Sequence, residues 1–431
     1  MGTKSRLIVM NFLQYAVWGA YLISMGRYLG GVELGGNIGI FYAVQGLVSL
    51  VMPTLVGIVA DRWVPAQRTL GLCHLMAAGF MAAAGWCGIT ATAAGVTPDF
   101  ALLFSLYTLS VAFYMPTIAL SNSVAYSVLT QAGLDTVKVF PPIRVFGTVG
   151  FICAMLATNF VRFGGESMQT LPHQFIFSAL LGFSLGLYAF TLPAIPVKRA
   201  QDDNPLTAAV GFNAFRLFGQ RKMAVFFIFS MLLGVSLQIT NAFANPFIGA
   251  FEGIPEYSGT WGAANANALI SLSQISETLC ILLIPFCLRR LGIKRVMLIA
   301  MFAWMLRFGL FGAGNPGGGV WMFVLSMLVY GIAFDFFNIS GSLYVDTETD
   351  PQVRSSAQGL FMMMTNGVGA TLGTLGAQAV VDRLVFSQSA AASQVAGWHT
   401  SWYIFAGYAL LVAVVFAFVF RYEHTRTVLK T

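Results

Sequence analysis

The sequence predicts an all-α polytopic membrane protein, and three observations carry that prediction. Only 9% of the 431 residues are charged, 57% are hydrophobic, and the apolar residues gather in runs of span length. A soluble chain carries roughly a quarter charged residues, and a helix needs about 20 mostly apolar residues to cross a bilayer. Twelve such runs follow one another at 6–27, 37–60, 68–93, 99–127, 141–163, 173–195, 223–250, 263–288, 294–314, 319–343, 355–381 and 399–421. Lys4 and Arg6 precede the first run as they would in a secretory leader. No small-residue cleavage site follows them, so the first run is expected to be retained.

The charges sort between the runs. With the N-terminus inside, the outer loops receive only Arg27, Arg162 and Arg383 of the 23 Lys and Arg, and Arg144 and Arg307 lie within runs. All the others fall on the inner side, which by the positive-inside rule predicts a multi-pass protein of the inner membrane with both termini cytoplasmic. The net charge of +7 is then topological and needs no nucleic acid to explain it. The five cysteines and four histidines show no metal spacing, and the cysteines are expected to be small buried hydrophobes. There is no CxxC, HExxH, GxSxG or P-loop, which argues against an enzyme and against a metal or cofactor.

The longest inner loop, VKRAQDDNPLTAAVGFNAFRLFGQRK at 197–222, divides the runs six and six. It predicts an N-terminal bundle at 1–196, a cytoplasmic linker at 197–222 and a C-terminal bundle at 223–431. Each half carries a charged turn between its second and third runs, GIVADRWVPAQR in the first and LRRLGIKR in the second. Gly57, Asp61 and Arg62 match the G-x-x-x-D-R signature of the major facilitator superfamily. There a glycine would let two helices approach closely, and the aspartate would cap or pair at a neighbouring helix end. Together with the six-plus-six division, the motif predicts that fold, with two pseudo-symmetric six-helix bundles.

Polar residues inside the runs mark the candidate site. Asp335 lies in mid-run in MFVLSMLVYGIAFDFFNISGS, where an ionisable residue costs about 2.5–3.5 kcal/mol to insert. Asn338 shares its helical face, and Tyr330 with Phe334 forms an aromatic wall beside it, although aromatic pairs in such helices usually serve packing. Gln238 and Asn241 are spaced i, i+3 in the seventh run, as are Gln274 and Glu277 in the eighth. Such residues also act as interhelical glue. In the fifth run Arg144, Thr148 and Phe151 lie at i, i+4, i+7, with Arg144 close enough to the inner end to snorkel. Arg307, deep in the ninth run, is expected to pair structurally with an acid. Gln14, Trp18, Tyr114 and Asn122 add polar and aromatic groups in the first and fourth runs. Amides, acids and flat rings suit a neutral, hydroxyl-rich ligand with one flat face. A carboxyl in such surroundings can take and release a proton as its neighbours change.

Five segments, FPPIRVFGTVGF, FFIFSMLLGVSLQITNAF, SLSQISETL, LVYGIAFDFFNISGS and SAQGLFMMMTNGVG, resemble the bacterial nucleoside:proton symporters of the major facilitator superfamily. The resemblance covers essentially the whole chain. It implies a monomeric twelve-helix carrier in the lipid bilayer, working by alternating access, with nucleoside and protons as its partners. It assigns substrate binding to Gln238, Asn241, Gln274, Glu277, Asp335, Tyr330, Phe334, Thr148, Phe151 and Arg144. Proton coupling goes to Asp335, Glu277 and Arg144. No cofactor is expected beyond the proton gradient. The segments Glu252–Asn265, Leu343–Asp350 and Leu120–Ala125 depart from the family pattern and leave base preference open. A carrier of another neutral polyol or sugar is the first rival, and a nucleoside sensor that does not transport is the second.

Overall fold

The computed structural model describes residues 2–196, 212–350 and 353–422, with a few side chains inside helices, including that of Asp61, set aside. The expected linker therefore lies largely outside the described residues. The chain divides into two compact units, Met1–Ala209 and Val210–Thr431.

The first unit contains α1 (Thr3–Gly19), α2 (Met25–Gly31), α3 (Ile38–Arg62), α4 (Ala66–Ala94), α5 (Phe100–Gln131), α6 (Thr136–Phe160) and α7 (His173–Ala189). The second contains α8 (Arg221–Ala250), α9 (Ala266–Ile281), α10 (Ile284–Leu291), α11 (Ile293–Ala313), α12 (Val320–Glu348), α13 (Arg354–Met362), α14 (Ala370–Val381) and α15 (Ala391–Val419). Each of the twelve apolar runs corresponds to one helix or to an interrupted pair. Among the described residues, eight helices are long and apolar enough to cross a membrane, or nine if the bent pair α9–α10 counts as one span. Helix α7 is apolar but has only 17 residues.

Three runs are less regular than their apolarity predicts. The first breaks at residues 20–24 between α1 and α2. The eighth bends by 55° between α9 and α10, where Pro285 occupies the first turn of α10, a position that suits a ring without an N–H. The eleventh contains a π-helical turn, Met363–Gly369, between α13 and α14. By contrast α5 runs through Pro116 without a break.

Within each unit the helices pair in the same order. In the first, α1 packs on α6, α3 on α5, and α4 on both α5 and α7. In the second, α8 packs on the π turn and α14, α9 on α12, and α11 on both α12 and α15. Counted as spans, these are partners one–five, two–four, three–four and three–six in each half, which is the internal repeat predicted from the six-plus-six division.

Glycines make the one–five crossings close. A Cβ on Gly150 would collide with the Phe12 carbonyl, and one on Gly19 with that of Phe151. In the second unit Gly234, Gly369 and Gly373 meet the carbonyls of Thr365, Met231 and Val235 in the same way. Lipid gives no hydrophobic drive for helices to associate, so backbone-to-backbone packing of this kind supplies much of the attraction. Gly57 is different: no described atom lies within 4 Å of the place a Cβ would take. Among the described residues, the close helix approach expected at the charged-turn motif is not made.

The first unit has an aliphatic core in which Leu7, Leu70, Val124, Leu129 and Leu185 join α1, α4, α5 and α7. The second relies on rings, with Phe311 stacked on Trp402 at 4.6 Å and Phe247 edge-on to Phe323 at 5.6 Å. Large apolar side chains such as Leu282 (75% exposed) and Phe418 (78% exposed) face outward, a surface that lipid rather than water would solvate. Cys73 and Cys280 are buried as expected, but Cys153 is exposed, on the outer face of its helix, where apolarity alone gives no reason for burial.

Candidate functional site

In the first unit the candidate residues lie along the contact of α6 with α1. The Arg144 guanidinium lies 3.9 Å from the centre of the Tyr15 ring. Gly147 makes room for that pair, since a Cβ there would lie 2.6 Å from the ring and 2.7 Å from Arg144 Nη1. Arg144 and Thr148 are half-buried, and Phe151 is buried. Phe151 meets Trp18 edge-on at 6.4 Å, and Trp18 tilts against Tyr114 at 6.1 Å. The i, i+4, i+7 spacing thus places a cation, a hydroxyl and a ring on a single face, as expected.

Behind that face lies a buried polar network, of which the sequence points to Gln14, Trp18 and Tyr114 but not to His74, Thr117, Gln45 or Tyr107. The Thr117 hydroxyl donates to the Tyr114 carbonyl at 2.6 Å and accepts from the Gln14 amide nitrogen at 2.8 Å. This turns Gln14 Oε1 toward His74 Nε2, also at 2.8 Å, so Nε2 must carry the hydrogen. Tyr114 Oη donates to the Gln14 carbonyl at 2.7 Å. A second chain runs from Trp18 Nε1 to Gln45 Oε1 (3.2 Å) and from Gln45 Nε2 to Tyr107 Oη (2.7 Å). His74 was passed over because its spacing matches no metal motif. The available signal was its position inside the apolar run LGLCHLMAAGF, where a ring nitrogen needs a partner.

In the second unit, Asn241 Nδ2 donates to Gln238 Oε1 at 2.7 Å, so these two amides bind each other along α8. Gln274 and Glu277 are half-buried on α9. Nearby, the buried Asn245 and Asn267 join α8 to α9 through a 2.7 Å bond, a pair the sequence reading did not include. Asp335 on α12 is only 5% exposed. Its Oδ2 has no hydrogen-bond partner among the described residues, and its charge is within reach of Glu277. Tyr330 and Phe334 stack in parallel, 5.6 Å apart with 6° between their planes. The Tyr330 hydroxyl interacts electrostatically with Glu277, Arg307 and Asp335. Phe334 and Asn338 border a small recess of about 10 Å³ that is also lined by Leu237, Trp304, Phe337 and Thr365.

Arg307 departs from expectation. Arg307 belongs to neither of the ion pairs at Lys138–Asp135 and Arg354–Asp346. It binds the Ser326 carbonyl and lies over aromatic rings instead. Gly57 and Arg62 both lie in α3, while the Asp61 side chain is outside the described residues. No group of three or more His, Cys, Asp or Glu that would hold a metal ion occurs among the described residues.

The family described as nucleoside H+ symporter matches residues 1–425. The chain is 46% identical to the xanthosine permease of Escherichia coli (strain K12) over 428 residues, covering 98% of this chain and 97% of that one. It is 44% identical to the nucleoside permease NupG of the same organism over 432 residues, covering 99% and 98%. A crystal structure of a mutant of the nucleoside transporter NupG superposes with a TM-score of 0.88 at 42% identity, covering 97% of this chain and all of that one. An all-α polytopic chain of this architecture, matched along nearly its whole length, belongs to the nucleoside H+ symporter family, whose members are transporters and not enzymes.

Proposed function

We propose that this symporter carries nucleosides inward across the cytoplasmic membrane, and that Asp335 and Glu277 handle the coupled proton. One observation carries the assignment: a buried carboxyl in a spanning helix whose Oδ2 lacks a described donor while a second carboxyl lies within charge reach. A buried acid with a second, half-buried acid within charge reach does not hold its negative charge cheaply. A proton, a cation or a ligand hydroxyl must offset that charge, and so proton and ligand are linked through the same atoms.

In this reading Gln238, Asn241 and Gln274 hold ribose hydroxyls and base edges, and Tyr330 with Phe334 stacks the base. In the first unit Thr148, Phe151 and Arg144 are further candidate substrate residues, Arg144 also a candidate for proton linkage. Gly57, Asp61 and Arg62 keep a structural role in the charged turn. The bundles are 1–196 and 223–431, joined by the 197–222 linker. The protein works as a monomer without a cofactor, with both termini in the cytoplasm. The basic inner loops support that orientation, and reporter fusions at each terminus test it.

The central test is uptake of labelled uridine and adenosine by proteoliposomes, with and without an inwardly directed proton gradient. Accumulation above the outside concentration is expected only with the gradient. Uptake that ignores the gradient, or none for either nucleoside, sinks the assignment.

A further inference from the structure

We propose that Arg307 is a positioning residue for the nucleoside site and acts through Tyr330. The inference rests on the reading of Tyr330 and Phe334 as the wall on which the base stacks.

Arg307 is 1% exposed on α11, and no acid balances it among the described residues. A buried cation is a costly way to glue two helices in a membrane, where a well-packed apolar side chain serves more cheaply. Its surroundings explain why it is kept. Nη1 donates to the Ser326 carbonyl at 2.6 Å, and the Ser273 hydroxyl lies 3.4 Å from Nη1 and 3.5 Å from Nη2. Ser326 Oγ donates back to the Arg307 carbonyl at 3.0 Å. Contacts from α9 and α12 thus hold the guanidinium in one place, 4.7 Å from the centre of the Tyr330 ring and 5.4 Å from that of Phe311.

Tyr330 is held from a second direction as well, since Trp304 meets it edge-on at 6.0 Å and 88°. A cation over an aromatic face is attracted by the ring quadrupole, and more strongly where water is absent. Tyr330 in turn lies parallel to Phe334, which borders the recess beside Asn338. The order is therefore a fixed cation, a ring it pins, and a second ring that borders the recess. A stacking wall fixed before the ligand arrives binds more tightly than one that must be ordered on binding. Arg307 need not touch the nucleoside to affect its affinity.

A double-mutant cycle on the purified full-length protein tests this, with uridine binding followed by calorimetry and thermal stability measured alongside. Arg307→Met is expected to weaken binding roughly ten-fold. In a Tyr330→Leu background the same change should add little, because the ring it acts through has gone. Arg307→Lys, which keeps the charge but not the planar fork, should fall between. If Arg307→Met does not fold, Arg307→Lys alone and with Tyr330→Leu gives the same cycle. Wild-type affinity in the arginine variant, or equal losses with and without Tyr330, overturns the inference and leaves Arg307 as a helix tie. Wild-type protein that binds no uridine, or binding indifferent to Tyr330→Leu alone, instead overturns the stacking wall, and the inference falls with it.

Discussion

The two units repeat the same helix pairings but bury different groups in them, a histidine–amide network in the first and a carboxyl and a guanidinium in the second. In the first, the Gln14 amide serves both His74 and Thr117, Thr117 passes its hydrogen to a carbonyl, and Tyr114 returns to the Gln14 backbone. In the second, Asp335 keeps an oxygen without a described donor within charge reach of Glu277, and Arg307 is sealed against rings. The arginines show the same contrast. Arg144 over Tyr15 is half-buried, whereas Arg307 over Tyr330 is closed in. The first unit's network ties helices together although His74 Nδ1 has no hydrogen-bond partner among the described residues; a buried acid without a donor leaves a place for a proton or a ligand. The repeated architecture therefore gives one half whose buried network joins helices with His74 Nδ1 left over, and another that holds a buried acid in reserve.

The largest expected effect strikes that reserve. Asp335→Asn should abolish uptake against a gradient in proteoliposomes while nucleoside binding stays measurable by calorimetry. A variant that still concentrates uridine would move the proton to Glu277 and erase the contrast at this position. Next comes the scaffold that the halves share. Gly150→Leu would drive a side chain into the Phe12 carbonyl and cost upward of about 3 kcal/mol, visible as lost monodisperse protein in size-exclusion chromatography. Gly57→Ala, with open space around it, should remain within about 0.5 kcal/mol of wild type. Equal tolerance at both glycines would show that the close crossings do not hold the bundle. The smallest effect tests the first unit's network. Gln14→Leu strands the His74 N–H and should cost about 1–3 kcal/mol, read as a lower melting temperature. Replacing Gln14 and His74 together by leucine should cost less than the single change. A pair that is worse than the single variant would mean that the network does more than satisfy itself.

The spans were legible because bilayer thickness imposes a length on apolar runs, and that length survives any tertiary detail. The positions of Arg144, Thr148 and Phe151 on one face were legible for the same reason, since helical period alone fixes them. Partners were not legible. Periodicity says that Gln238 and Asn241 share a face, but not that they would bind each other. Nor does it say that Arg307 would choose the Tyr330 ring and a serine carbonyl over an acid. The bend before α10 could have been anticipated from Pro285, whose ring fits a helix start. The break after Gly19 left no comparable mark.

The wide turn at Met363–Gly369 has a consequence for register. Tightening it to α geometry would take one residue out of the turn, rotating everything beyond by about 100° and advancing it by about 1.5 Å. Gly373 would then leave the Val235 carbonyl, and a neighbour with a side chain, Leu372 or Thr374, would turn toward it. The bare patch that admits α8 and the slack in the turn are thus one constraint, so neither the glycine nor the extra residue can be altered alone.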